Sequence, residues 1–261
     1  MSVDREARQK EILKTVRERG SVRVTELCTS YGASEATIRR DLDELEAAGV
    51  VKRKHGGAVA VKQPTPEQAV MQRVKEDAPE KHAIAAQAAS MVRDGDTIFL
   101  GSGSTTLFMV PFLEDLNITV ITNSLAIINR LVEFEKCKTV VVGGVLRVSE
   151  LSIIGHISVR TLEDLRADKV FIGVEAIHLE HGLTNSYLEE TMTDRAIVEI
   201  SSQIIMLADH SKFDRVRAAV WGPLALMKML ITDWNTAAET IQRLRGLGVE
   251  VVVAQPLGEK G

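Results

Sequence analysis

From residue 97 onward, short aliphatic runs recur between stretches with helical periodicity. The runs are TIFLG (97–101), ITVIT (118–122), KTVVVG (138–143), DKVFIGV (168–174), QIIMLA (203–208), AAVWG (218–222), KMLIT (228–232) and VEVVVA (249–254). Helical patterns fall at 80–93, 105–115, 124–135, 188–201 and 236–246. A strand that is apolar throughout, and not at every second position, is buried on both faces. Such strands alternating with helices make an α/β fold, a mostly parallel sheet flanked by helices. Pro79 at the start of the first helix and Gly95 after it suit the two ends of a helix. Trp221 and Trp234 adjoin strands and are read as core. Ile241, Leu244 and Leu247 are read as the buried face of the last helix.

The first 60 residues follow a different pattern. Asp4 can cap a helix running to about Arg19, with Ile12, Leu13 and Val16 inward and Gly20 ending it. Val22 and Val24 alternate with polar residues, as in a very short strand. Thr25 caps a second helix, ELCTSY, which stops at Gly32. Ser34 caps a third, in which Ile38, Leu42 and Leu45 form one apolar stripe and Gly49 is the terminator. VVKRK and AVAV then flank His55-Gly56-Gly57, which reads as a hairpin. Residues 62–79 hold three of the six prolines and read as the junction, with a short helix near 67–75. The expected division is a DNA-binding unit at 1–61, a linker at 62–79 and a sensing α/β domain at 80–261.

The formal net charge of −4 argues weakly against a nucleic-acid binder, but its distribution does not. Residues 1–60 carry a net +2 and the remainder −6, and no carboxylate occurs from Ala47 to Pro66. A basic edge on an acidic protein steers it to a polyanion. Helix, glycine turn, second helix and basic hairpin together make a winged helix-turn-helix, whose second helix enters the major groove by its N-terminal residues. The candidate contacts there are Ser34, Glu35, Thr37, Arg39 and Arg40. The two arginines point about 100° apart, so one reads bases and the other meets phosphate. In the hairpin, Lys52, Arg53, Lys54, His55 and Gly56 would follow the backbone or minor groove, the glycines letting the main chain approach phosphates. The bland alternative is a helical hairpin with solvated charges.

The stretch SEATIRRDLDELEAAGVVKRKHGGAV resembles the DNA-binding signature of the DeoR family, with its RRDL core and HGG wing. The resemblance implies a transcriptional regulator, most often a repressor, that binds paired sites on double-stranded operator DNA as a homodimer or homotetramer.

In an open parallel sheet, ligands bind beyond the carboxyl ends of the strands. After TIFL comes Gly101-Ser102-Gly103-Ser104-Thr105-Thr106. Asn123 follows ITVIT, Gly144 and Arg147 follow KTVVV, Glu175 follows KVFIG, and Asp209 and Lys212 follow QIIMLA. Inward amides, hydroxyls and a helix N-terminus suit a phosphate, although a strand-to-helix turn also uses glycine and serine for geometry alone. Lys212 is the natural partner of the same anion. Glu175 and Asp209 either accept sugar hydroxyls or cap turns, and Arg147 either holds the phosphate or closes an oligomer interface. The turn is neither a nucleotide P-loop nor a dinucleotide loop, because the P-loop lysine and the third glycine are absent.

IFLGSGSTT, VITNS, VVVGG, ADKVFIGVEAI, HGLTN and ADHSKF, in that order, resemble the DeoR-family sensor domain. That domain is related in fold to ribose-phosphate isomerase, which implies a phosphorylated sugar or polyol as effector. Members often carry aspartate where Gly101 stands, which bears on how a sugar hydroxyl is held.

Other chemistries find little support. His178 and His181 lie in a presumed loop, IHLEHG, and no metal or other cofactor is expected. Cys28 and Cys137 are too few for a disulfide framework. No apolar run approaches the ~20 residues of a membrane span, and the opening MSVDREARQK has no apolar signal core, so a cytoplasmic protein without membrane association is expected. The main rival is an enzyme, a sugar-phosphate isomerase or hydrolase with an appended helical domain, using Glu175, Asp209 and Lys212 as acid, base and electrostatic group.

Overall fold

The computed structural model describes residues 5–19, 21–47, 51–54, 56–60 and 66–257. It divides into two compact units, Met1–Thr65 and Pro66–Gly261. The expected positions Asp4, Gly20, Gly49 and His55 lie outside the described residues.

The first unit runs α1 (Arg5–Arg19), β1 (Ser21–Arg23), α2 (Val24–Tyr31), α3 (Glu35–Ala47), β2 (Val51–Lys54) and β3 (Gly57–Ala60). The three strands form an antiparallel sheet in the order β1-β3-β2. Ile12 and Val16 of α1, Leu27 of α2 and the Ile38–Leu42–Leu45 stripe of α3 meet Val22, Val51 and Ala58 of the sheet in one core. Gly32 takes φ +61 between α2 and α3, a conformation open chiefly to glycine. Ser34 caps α3 by accepting the Thr37 N–H at 3.2 Å. Thr25 is not a cap. The helix starts two residues earlier, at Val24, and the Glu26 carboxylate accepts the Arg23 N–H at 3.2 Å. An acid in the first turn does the work expected of the threonine hydroxyl.

The second unit comprises α4 (Pro66–Arg73), α5 (Ala78–Ala89), β4 (Thr97–Leu100), α6 (Ser104–Leu107), β5 (Ile118–Thr122), α7 (Leu125–Leu131), β6 (Cys137–Val141), β7 (Val145–Arg147), β8 (Ser152–Ile154), α8 (His156–Glu163), β9 (Lys169–Gly173), β10 (Ala176–His178), β11 (Gly182–Asn185), α9 (Leu188–Val198), β12 (Ile204–Leu207), β13 (Ala219–Gly222), β14 (Met229–Asp233), α10 (Ala238–Gly246) and β15 (Glu250–Ala254). Seven strands form a parallel sheet in the order β15-β14-β12-β9-β4-β5-β6. Successive side chains feed two separate cores. Ile98, Leu100, Phe171 and Ile205 lie in one, and Phe99, Val170, Ile172 and Met206 in the other. This is the two-faced burial that unbroken apolar strands require.

Four expectations are corrected. AAVWG is not part of the parallel sheet, because β13 pairs antiparallel with β11 in a small sheet ordered β10-β11-β13. Its residues alternate, Ala219 and Trp221 buried and Val220 exposed. Because the outward residue is itself apolar, the sequence concealed a one-faced strand. IHLEHG is not a free loop, since His178 ends β10 and Gly182 begins β11. The helix expected over 105–115 is instead the single turn α6 and a 3-10 turn at Val110–Leu113, because Pro111 has no N–H to continue an α-helix. Leu247 is exposed whereas Leu244 is buried. It follows the end of α10 and stands about 240° round the axis from Ile241.

Candidate functional site

Two sets of residues stand out, one in each unit. In the first, the exposed end of α3 carries Glu35, Arg39 and Arg40. Arg39 is tied to Glu35 by an ion pair at 2.6 Å, one helical turn apart. Arg40 is exposed and has no hydrogen-bond or ion-pair partner among the described residues. Ser34 and Thr37 share a hydroxyl hydrogen bond of 2.8 Å. Beside this helix end, Arg39, Arg53, Lys54 and Gly56 line one groove. Lys52 and Lys54 are exposed.

Arg53 is half-buried and bound to α3. Its backbone N–H donates to Glu46 at 2.7 Å, and its guanidinium reaches the Arg39 carbonyl at 3.4 Å and Asp43 at 3.5 Å. It braces the hairpin against the helix. The two hairpin glycines differ. Gly56 has φ +77 and open space around it, whereas a Cβ on Gly57 would lie 2.1 Å from the Val22 carbonyl oxygen. Gly57 is therefore glycine so that β3 can lie against β1.

Pattern reading passed over Asp41. This residue of the RRDL stretch is buried and receives the Arg8 Nε at 2.6 Å, with Gln9 also donating to it at 3.3 Å. It fixes α3 to α1 from beneath. The signal available was an acid next to the apolar stripe, with basic residues on the first helix that could face it.

In the second unit the strand order reverses between β4 and β9, since β5 and β6 follow on one side and β12, β14 and β15 on the other. Loops at such a switch point part and leave a crevice. A cavity of 320 Å³ opens there. Of the expected residues, Ser102 to Thr106, Arg147, Glu175 and Lys212 line it. Gly103 precedes α6 with φ +148, and its carbonyl accepts the Thr106 hydroxyl at 3.0 Å.

Four expected residues do not line the cavity. Gly101 donates its N–H to the Phe171 carbonyl at 2.9 Å, and a Cβ there would come within 2.9 Å of the Ile172 side chain. Glycine at 101 thus goes with isoleucine at 172, and an aspartate would require Ile172 to move. Asn123 is buried and donates to the Ile153 carbonyl at 3.1 Å, joining β5 to the β7–β8 hairpin. A Cβ on Gly144 would overlap the Ser158 hydroxyl at 2.2 Å, so this glycine serves packing. Asp209 is buried, takes up the Ser211 N–H at 2.9 Å, and lies 3.8 Å from the Lys212 ammonium.

The lining also contains charged residues not expected from the sequence. Arg73 pairs with Glu150, Arg147 with Glu190, and Arg217 with Glu175 at 2.7 Å. Arg147 also lies over the Tyr187 ring, 4.5 Å from its centroid. Burial opposes ionisation of Glu175, but hydrogen bonds from Ser186 and Arg217 outweigh it and hold its carboxyl below the usual range. Burial pushes Glu190 upward against the Arg147 charge. Asp194 is driven well above the ordinary aspartate range, first by burial and then by Glu190 one turn away, with Asn185 opposing. The helix bearing them runs LEETMTD, with Thr191 and Thr193 buried and Leu188 and Met192 exposed. This inversion is why an apolar-face reading passed over Glu190 and Asp194.

Beyond these sites, the His178 and His181 rings lie 4.7 Å apart, with the His178 Nδ1 accepting two backbone N–H groups. No group of three or more His, Cys, Asp or Glu able to hold a metal occurs among the described residues. No helix among them is long and apolar enough to cross a membrane.

Comparison with known proteins extends over both units. The family model described as a DeoR-like helix-turn-helix domain matches residues 8–64, and that of the DeoR C terminal sensor domain matches residues 76–234. The HTH-type transcriptional regulator YulB of Bacillus subtilis (strain 168) is 34% identical, over 97% of this chain and 98% of its own. Transcriptional repressor AccR of Agrobacterium fabrum is 34% identical, over 91% and 94%. The HTH-type transcriptional repressor GlcR of Bacillus subtilis is 31% identical, over 94% of both. Among solved structures, ribose 5-phosphate isomerase A from Methanocaldococcus jannaschii aligns over 51% of this chain and 53% of its own, at 20% identity and a TM-score of 0.38.

Proposed function

The chain belongs to the DeoR family of transcriptional regulators, and from that premise we propose that it is a repressor whose grip on operator DNA is set by a phosphorylated sugar or polyol bound at the β4–β9 switch point. Its relatives bear the names of regulators, and it is a regulator, not an isomerase or hydrolase. Arg40, exposed and without a partner among the described residues, reads a base edge, for which guanine offers the matching acceptors. Arg39 and the hairpin lysines Lys52 and Lys54 meet phosphates and set the register.

One observation carries the effector half of this reading. The amide- and hydroxyl-rich turn through Thr105 and the ammonium of Lys212 line a single cavity where a parallel sheet reverses its strand order. Such a turn suits the phosphate, and Glu175 beside it can accept a sugar hydroxyl. The effector controls DNA binding only if it prefers one arrangement of the protein over another. A symmetric pair of half-sites calls for a symmetric dimer or tetramer. The exposed apolar residues Ile157, Leu188 and Met192, on the mutually packed helices α8 and α9, support that assembly.

The test is a thermal-shift screen of the full chain against phosphorylated sugars and polyols and their unphosphorylated counterparts. Operator duplexes are selected from random sequence with the same protein. A phosphorylated compound that raises the melting temperature and changes operator affinity is the expected result. A panel in which phosphorylation makes no difference to either readout refutes the effector assignment.

A further inference from the structure

Arg73 ends α4, the helix with which the second unit begins. Its guanidinium lies on the wall of the effector cavity and grips Glu150 with both forks, Nη1 to Oε1 at 2.8 Å and Nη2 to Oε2. Glu190 and Glu175 add their negative fields. The main chain of the same residue is held from the other side. Lys81 of α5, fully buried, donates its ammonium to the Arg73 carbonyl at 2.7 Å and to that of Glu76. Burial lowers the Lys81 pKa, and Asp209 opposes that. Asp209 has no hydrogen-bond partner for its Oδ2 among the described residues and stands beside Lys212 of the cavity wall. The end of α4 is thus held at both faces, its side chain by Glu150 on the cavity wall and its carbonyl by the buried Lys81.

A guanidinium fork fits a phosphate as well as a carboxylate, and a phosphate monoester near neutral pH brings more charge than Glu150. We propose that Arg73 is a ligand of the effector's phosphate, that Glu150 is its counter-ion when no effector is bound, and that exchanging one anion for the other shifts the end of α4. The inference rests on the reading of this cavity as a phosphate site and adds to it both a binding residue and the route by which occupancy leaves the cavity. The chain enters the second unit at α4, so a shift there is delivered at the point where the DNA-binding unit is attached in sequence. Lysine would not substitute, because a point charge lacks the fork.

The test uses the full chain with inorganic phosphate as probe. Calorimetry reads affinity, and hydrogen exchange reads peptides spanning residues 66–77. Thr105→Val serves as the check on the cavity itself and weakens phosphate binding about tenfold. Glu150→Gln removes the competing charge, leaves the guanidinium in place, and tightens binding about fivefold. Arg73→Lys weakens binding about tenfold and removes the phosphate-dependent change in exchange over 66–77. Should Arg73→Lys loosen α4, Glu150→Gln still decides the question. If Thr105→Val weakens binding while Glu150→Gln binds no tighter, or if wild-type exchange over 66–77 ignores phosphate, the Arg73 exchange is wrong and the cavity assignment stands. If wild type takes up no phosphate, or Thr105→Val binds it equally well, the cavity assignment is wrong and the inference goes with it.

Discussion

Both units place arginine–carboxylate pairs beneath or beside the surface that is to do the binding, and they use them in opposite ways. In the first unit the pair is Arg8 with the buried Asp41, packed between α1 and the back of α3. Its effect is to hold the reading helix against α1. In the second unit the pairs Arg73–Glu150, Arg147–Glu190 and Arg217–Glu175 face a cavity open to small molecules. There, on the reading proposed above, Glu150 is an internal anion that an entering phosphate replaces, while Glu175 stays to accept a sugar hydroxyl. A pair packed between helices stiffens a part, whereas a pair on a cavity wall keeps cations in place and exchangeable. The contrast separates a rigid reading head from an adjustable sensing site.

The largest expected effect breaks the Arg8–Asp41 pair. Asp41→Ala removes the buried carboxylate that Arg8 and Gln9 both donate to and destabilises the first unit by about 3–5 kcal/mol. Urea unfolding followed separately in each unit checks it, with the second unit's transition unmoved. A loss comparable to that of a surface pair would erase the distinction drawn above. Next comes Arg40→Ala, which lowers operator affinity by about 1–3 kcal/mol with no change in melting temperature. Arg39→Ala costs less, because Arg39 is already engaged by Glu35. Titration of labelled operator duplex measures both, and the reverse order would exchange the two assignments. Thr105→Val shifts the effector response about tenfold to higher concentration while affinity for operator without effector stays the same. A mobility-shift titration with and without the best ligand of the screen reads this.

The smallest effect concerns Asp194. Its folded-state pKa is raised, chiefly by burial and then by Glu190. As pH rises above the ordinary aspartate value of about 3.9, the unfolded chain gives up this proton while the folded chain keeps it, so stability falls until the folded-state pKa is passed. Asp194→Asn removes that loss. The variant melts higher than the parent at neutral pH, and the two converge as pH is lowered toward the ordinary value. Parallel curves at all pH would mean that the carboxyl ionises freely.

The fold was legible in the sequence wherever periodicity and burial agreed. The strands of the parallel sheet are apolar on both faces, and the α3 stripe is apolar on one, so pattern alone located them. It failed where burial and polarity part company. Val220 is apolar and exposed, Thr191 and Thr193 are polar and buried, and Pro111 breaks a run whose hydrophobicity continues through it. The DNA-facing candidates lie on one continuous segment, which pattern can see. The cavity draws Arg73 from α4, Glu150 from the turn between β7 and β8, Glu190 and Asp194 from α9 and Arg217 from just before β13. Only the strand-end members could be guessed, because the rule of strand ends reaches no further than the sheet.

Gly57 has a practical meaning for anyone wishing to redirect this regulator to a new operator. Lys52 and Lys54 are exposed, without partners among the described residues, and can be exchanged for other side chains at little structural cost. Position 57 tolerates no such freedom, since even a methyl group would collide with the Val22 carbonyl oxygen and prise the wing from the body that aims it. Variation in binding preference is therefore confined to the outer face of the hairpin, and the joint at its base must be inherited unchanged.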